Sequence, residues 1–350
     1  MRNNSLDTFR LLAAFAVVLL HVGYGSLPSV AQSNIRLLGR FAVPFFFMVS
    51  GYFFYQNFQK RGNEYFVKTL QRLVGVFMIA SCVYLLIKFK NVSLSFSLLY
   101  EGTNYHLWFL SSMIFGVIIC WYNLSYFSSK YMIMLLSVVI ILLSLLSDSY
   151  SSFIKFTPDK EFCRYLLSVP YLYLGMMVAK NNFSLSTRAS ILLIAVGIAL
   201  QIGETELLYR YYNFDRFNHQ VLIGTIPFAV GAFFLSFKGP GNDWLARLGR
   251  KYSLSIYVYH QFVNFFVFKA VKFFFKQYSN DIFIFSAVIS FTSTLVMLMV
   301  IDKYYPRMFA VLNGELKMLR QIFSLKKYIN TNRISKSKAV VRSEVIINKG

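Results

Sequence analysis

Charge is what this chain has little of: 14% of its 350 residues are Asp, Glu, Lys or Arg, against about 25% in soluble domains. With 57% hydrophobic residues and a mean hydropathy of +0.53, that shortage excludes an ordinary soluble domain. Cysteine is scarce as well. Cys82, Cys120 and Cys163 lie in or beside apolar runs, an odd number at no metal-like spacing. Neither a disulfide framework nor a cysteine metal site is expected, and the three read as buried thiols. The chain has no phosphate-binding lysine motif, no HExxH and no GxSxG, which removes support for ATP hydrolysis and zinc hydrolysis. A serine nucleophile stays open, because GxSxG belongs to one fold. No internal repeat and no linker between domains is evident.

What is present is apolar length. Hydrophobic runs recur near residues 6–25, 39–56, 70–87, 105–122, 131–148, 163–180, 189–205, 219–237, 253–269 and 282–301. The expected fold is all-α, a polytopic integral membrane protein of about ten transmembrane helices. The run at 6–25 has a charged start but no small-residue cleavage site, so it reads as the first span. An even number of spans puts both termini on one side. Lys60, Arg61, Lys68, Arg72, Lys180, Arg188, Arg247, Arg250, Lys251 and a basic tail fall on the N-terminal side of that arrangement. Fewer basic residues, among them Lys88, Lys90, Arg210, Arg216, Lys272 and Lys276, fall opposite. Positive residues favour the cytoplasm, so both termini are expected there.

The membrane part is expected to occupy residues 1–305. Phe309, Leu312, Leu316, Leu319 and Phe323 then step at helical spacing, with Lys317, Arg320 and Lys326 between or beyond them. That pattern predicts an amphipathic interfacial helix over 306–327. Residues 328–350 read as a basic, disordered cytoplasmic tail that meets anionic lipid. The net charge of +22 is divided among short loops and this tail. Membrane lipid, not nucleic acid, is therefore the expected partner.

Two ionisable residues stand inside the first span. Eleven steps separate Arg10 from His21, about 1100° of helix, or roughly 20° past three turns. Both side chains leave one face, about 16 Å apart along the axis. Ionisable groups within a span usually face a cavity or the protein interior. A histidine can titrate near neutrality and serve as a general base. An arginine can grip phosphate through two hydrogen bonds. The plain alternatives are a packing histidine and a snorkelling arginine, and their shared face weakens both.

Other polar positions are weaker signals. Lys68 and Arg72 share a helix face and suit an anionic cytosolic ligand, or are simply topogenic charge. Pro44 opens the local backbone and Ser50-Gly51 permits close helix approach, so packing is the favoured reading there. His106 and Trp108 fall at the outer interface, where aromatic anchors are common. Glu204, beside Gln201, is placed to orient a histidine or to end a span in water. Ser253, Tyr257, His260 and Asn264 form a polar stripe on one face, read as the lining of a cavity. Arg36, Arg40, Lys269, Lys272 and Lys276 suit an anionic glycan, although snorkelling is the stronger reading.

Leu6-Asp7-Thr8-Phe9-Arg10, ten residues, then His21 resembles the R-x10-H signature of the membrane-bound acyltransferase family 3. Arg40-Phe-Ala-Val-Pro44 with Ser50-Gly51-Tyr52 resembles its second span, and His106-Leu-Trp-Phe-Leu110 its fourth. Tyr171-Leu-Tyr-Leu-Gly175-Met176 and the segment from Leu248 to His260 resemble two later pieces. The resemblance runs from about residue 5 to 305. It implies a bacterial plasma or inner membrane enzyme that moves an acyl group, most often acetyl from cytosolic acetyl-CoA, onto a hydroxyl of an envelope or exported glycan.

On that resemblance His21 is the catalytic histidine and Arg10 its essential partner. Arg10, Lys68 and Arg72 would hold the donor. Ser50, Gly51, Tyr52, His106, Trp108, Glu204, Tyr257 and His260 would line the cavity, with no metal. One departure stands out. Members often carry two arginines three apart after the second span; Arg72 fits the second, but Thr69 occupies the first position. Lys68 supplies charge there without a two-pronged grip. The alternative function is a transporter or flippase for a glycan or lipid-linked saccharide, which explains intramembrane histidines equally well.

Overall fold

The computed structural model of the chain describes residues 3–88, 98–127, 130–153, 158–212, 214–217, 219–276 and 279–315. Every regular element among them is helical. The order is α1 (Asn4–His21), α2 (Ser29–Gly39), α3 (Ala42–Arg61), α4 (Asn63–Lys88), α5 (Leu98–Glu101), α6 (Trp108–Tyr122), α7 (Lys130–Ser147), α8 (Lys160–Leu166), α9 (Ser168–Asn181), α10 (Thr187–Tyr212), α11 (Thr225–Leu235), α12 (Asp243–Phe274), α13 (Ser279–Ile282), α14 (Ser286–Tyr304) and α15 (Pro306–Leu312). Among the described residues seven segments are long and apolar enough to cross a membrane, beginning with Asn4–His21 and ending with Asn280–Tyr304. These seven account for seven of the ten expected runs. Two of the other runs fold as the shorter apolar helices Tyr131–Ser147 and Thr225–Leu235. The run at 253–269 becomes part of the 32-residue α12, which brings charged residues such as Asp243, Arg247, Arg250 and Lys251 into the same helix.

Two helix crossings position the site. α1 starts at Asn3, whose side chain accepts a hydrogen bond from the Leu6 amide (3.0 Å). It then packs along α12, burying Leu6, Ala13, Ala14, Val17 and Val18. A Cβ on Gly249 of α12 would stand 1.9 Å from the Asp7 carbonyl oxygen, so glycine sets how closely these helices approach. α3 crosses α9 in the same manner. A Cβ on Gly51 would meet Leu172 O at 2.0 Å, and one on Gly175 would meet Met48 O at 1.9 Å. Gly51 is therefore a packing residue of the α3–α9 seam. Tyr52 is likewise turned into packing, with its ring against Phe237 and Phe233 at centroid distances of 4.9 and 6.3 Å.

Three further expectations change. Cys82 is exposed, while Cys120 and Cys163 are buried thiols. The helix expected over 306–327 stops at Leu312, because Asn313 leaves helical geometry and Gly314 adopts φ +85°. α15 packs against α14 and α4, burying Phe309 and Val311 while Met308 stays exposed. Residues 316–327 of that segment and the tail at 328–350 lie outside the described residues.

Glu204 does not reach a histidine. Its carboxylate accepts hydrogen bonds from the Tyr150 hydroxyl (2.7 Å) and the Ile223 and Gly224 amides (3.0 and 3.2 Å). These amides immediately precede α11, so the charge holds the α10–α11 connection at the start of a helix. Glu204→Ala is expected to destabilise the fold by about 1–3 kcal/mol, since three donors lose their acceptor. A thermal-unfolding midpoint in detergent equal to that of the parent protein would contradict this reading.

Candidate active site

Arg10 lies in the N-terminal half of α1 and His21 is its last residue, and each borders a cavity. The Arg10 cavity, about 320 Å³, is also lined by Ser50, Thr69, Arg72, Ser253 and Tyr257. The His21 cavity, about 210 Å³, is lined by Arg36, Arg40, Pro44, Trp108, Arg164 and again Tyr257. The two cavities are distinct, with Tyr257 in the wall of both. The Tyr257 hydroxyl is held there by donating to the His106 carbonyl oxygen (2.9 Å).

Three imidazoles gather at the His21 end. The His21 ring stacks near His260 (centroids 5.3 Å apart, 24° between planes) and lies 6.1 Å from His106. His106 and His260 are 5.3 Å apart, and both are fully buried. Two tautomers follow from the partners, because a carbonyl oxygen can only accept. His106 Nε2 faces Val258 O at 2.9 Å and so carries a hydrogen. His260 Nδ1 faces Tyr257 O at 2.8 Å and Ile256 O at 3.2 Å and does the same. Neutral His260 thus keeps a buried Nε2 lone pair with no partner among the described residues. In that state it cannot donate to a developing oxyanion.

His21 is set differently. Its Nδ1 lies 3.5 Å from the Tyr105 hydroxyl, which accepts a hydrogen bond from Gln261 Nε2 (3.1 Å). The Gln261 amide also donates to the His21 carbonyl (3.2 Å). Tyr105 enters this position from a short 3-10 turn, Tyr105–Leu107, that precedes α6. His21 also borders a third, more open space of about 420 Å³ with Asn104, Tyr105, Asn264, Lys269 and Lys272. The polar stripe of α12 therefore runs past all three spaces: Ser253 in the Arg10 cavity, Tyr257 at the divide, and Asn264 in the third space.

Around Arg10 the charges are organised by one carboxylate. Asp7 accepts from Arg10 Nη1 (3.1 Å) and pairs through its other oxygen with Arg250 (3.4 Å). Next to it a basic recess of about 480 Å³ is lined by Arg72, Arg247, Arg250, Lys251, Asn313 and Glu315. Arg72 borders both this recess and the Arg10 cavity. Lys68 does not join them: it is exposed and ion-paired with Glu64 one turn earlier. Sequence reading selected Lys68 because it shares a helix face with Arg72, but that face turns as the helix rises, and Lys68 ends in solvent. By sequence Arg247 and Arg250 read only as topogenic charge; what places them here is the packing of α12, with Arg250 paired to Asp7 of α1.

Arg164 was missed altogether. It stands at the start of an apolar run, where a single basic residue looks like a span end. In the fold its guanidinium lies 4.7 Å above the Trp108 ring, inside the His21 cavity. Among the described residues no three His, Cys, Asp or Glu side chains converge as a metal-binding group.

Comparison with known proteins supplies the family. Two amino-acid racemases of Enterococcus faecalis are similar: one is 31% identical over 133 residues, which is 34% of this chain and 19% of that protein. The other is 28% identical over 167 residues, 43% of this chain and 23% of that protein. A serine/alanine racemase of Enterococcus gallinarum is 27% identical over 239 residues, 60% of this chain and 34% of that protein. The chain thus spans only between 19% and 34% of these relatives' length. No solved structure matches it. The family model described as an acyltransferase domain matches residues 3–301, nearly the whole helical part that holds Arg10, His21 and both cavities, and the chain belongs to this acyltransferase 3 family.

Proposed function

We propose that the protein is a multi-pass O-acetyltransferase of a bacterial plasma or inner membrane, with both termini in the cytoplasm. It moves an acetyl group from cytosolic acetyl-CoA to a hydroxyl of an envelope or exported glycan. The observation that carries this reading is the placement of an arginine and a histidine of one helix in two cavities that share Tyr257. The phosphates of coenzyme A suit the basic recess of Arg72, Arg247, Arg250 and Lys251, with Arg10 just beyond it. The thioester arm then extends past Tyr257 toward His21. The ~16 Å of helix between Arg10 and His21 separates the charged end of such a donor from its reactive end.

At His21, an N–H on Nδ1 directed to the Tyr105 oxygen leaves Nε2 as the base. Nε2 takes the proton of the acceptor hydroxyl, and the oxygen forms its bond to the acetyl carbon. The carbon–sulfur bond then breaks, and the thiolate leaves with the proton that His21 returns. Gln261 and Tyr105 act by positioning the ring.

Purified protein, radiolabelled acetyl-CoA and glycan acceptors test the reading. Arg10→Ala is expected to raise the donor KM by about 10- to 100-fold, the loss of one or two charge-assisted hydrogen bonds. Arg10→Lys should raise it less. Equal effects of the two substitutions would count against a phosphate grip. The alternative, a transporter or flippase for a glycan or lipid-linked saccharide, draws on one observation: two cavities along α1 meet at a single residue, Tyr257. Label in the glycan supports the enzyme, while glycan movement without label supports transport.

A further inference from the structure

The His21 cavity is unusually lopsided in charge. Its described lining includes three guanidinium groups, from Arg36, Arg40 and Arg164, and no Asp or Glu. They come from three places in the fold: the last turn of α2, the α2–α3 junction, and α8. Arg164 is ion-paired with Glu161, which lies outside the lining, and it donates to Gln220 Oε1 (2.6 Å). Arg36 donates to the Val22 carbonyl (3.3 Å) and lies 5.1 Å from the Phe217 ring centre. Neither Arg36 nor Arg40 is ion-paired with a carboxylate among the described residues. The Nε atoms of Arg36, Arg40 and Arg164 are all buried without a hydrogen-bond partner there.

Like charges gathered in a low-dielectric recess repel, and buried guanidinium donors without acceptors add a desolvation cost. An oxyanion relieves both, and the planar fork of arginine matches a carboxylate or a phosphate. Snorkelling does not account for this arrangement, because a snorkelling side chain extends to the interface instead of lining a cavity beside the proposed catalytic base.

We propose that the acceptor is anionic. A carboxylate or phosphate on the saccharide binds Arg36, Arg40 and Arg164, and this contact presents the reactive hydroxyl to His21. The inference rests on the transferase reading for the hydroxyl, but anion binding in the cavity can be measured without turnover.

Trp108 reports directly, because Arg164 lies over its ring. The full chain carries three tryptophans; Trp121→Phe and Trp244→Phe leave Trp108 as the single emitter. In detergent without acetyl-CoA, glucuronic acid and glucose 6-phosphate are expected to change its emission saturably, and glucose is not. Equal responses to all three sugars overturn the proposal, and this comparison needs no arginine variant. Arg40→Gln is expected to weaken binding of the two charged sugars at least tenfold, with Arg40→Lys recovering part of the loss. Arg36→Gln serves where Arg40→Gln does not fold. Unchanged affinity in a folded Gln variant also overturns it. The transferase reading fails separately: charged sugars that bind while acetyl-CoA is never consumed would sink O-acetylation and leave the anion site. Transfer at equal kcat/KM to neutral and charged acceptors would do the reverse.

Discussion

His21→Ala is expected to lower acetyl transfer by about 10²- to 10⁴-fold, the range that a positioned general base contributes. The variant should still bind donor, because the basic recess lies at the other end of α1. Its folding should survive, since the His21 ring stacks on His260 but borders two open spaces. Transfer rate at saturating donor, read beside donor affinity, separates the two ends of the reaction. A folded His21→Ala protein that acetylates an acceptor at the parent rate removes the histidine from the mechanism. His106 and His260 cannot take over without rearrangement. Each holds one ring nitrogen on a backbone carbonyl, and both are fully buried.

The second large effect concerns stability. Gly175→Val is expected to prevent the protein from being isolated as a monodisperse species. Gly175→Ala should lower its thermal midpoint sharply. The added Cβ would stand 1.9 Å from the backbone oxygen of Met48, and backbone in the middle of α3 cannot step aside as a flexible side chain would. A Cβ on Gly51, on the facing helix, would meet Leu172 O at 2.0 Å, so the seam is tight from both directions. Overpacking of this kind costs about 1–3 kcal/mol or more. Gly203→Ala is the control: its Cβ meets nothing within 4 Å, and alanine favours an α-helix by about 0.5–1 kcal/mol over glycine. Size-exclusion profiles and thermal midpoints in one detergent compare the three. Equal midpoints for Gly175→Ala and Gly203→Ala would dismiss the close-approach argument. Ser50, one residue from Gly51, borders the Arg10 cavity, so loss of this seam also disturbs the proposed donor path.

Particular residues show how far the one-dimensional pattern reached. Arg10 and His21 could be paired because helical periodicity is a local property and both lie on one helix. Tyr257 and Asn264 could be placed on a lined face for the same reason. For Glu204 the sequence offers only depth along a span, which leaves both a histidine partner and a span end in water open. In the fold it spends its charge on the amides before α11 and the Tyr150 hydroxyl. Lys68 is singled out by its spacing from Arg72 and its charge beside Thr69, and it ends at an exposed ion pair. Arg164 carried no pattern at all, and only the docking of α8 beside Trp108 reveals it.

What the order of amino acids determined by itself was the helical, membrane-type character of the chain, its family, and the alignment of a guanidinium and an imidazole along the first helix. These depend on apolar length and on the 3.6-residue turn, which short stretches of chain encode. What the tertiary structure alone decided was which charges share a space: Arg72 with Arg247 and Arg250 at one end, and Arg36, Arg40 and Arg164 around His21 at the other. Those groupings join residues from distant helices, in a bundle whose backbones approach closely at Gly51, Gly175 and Gly249.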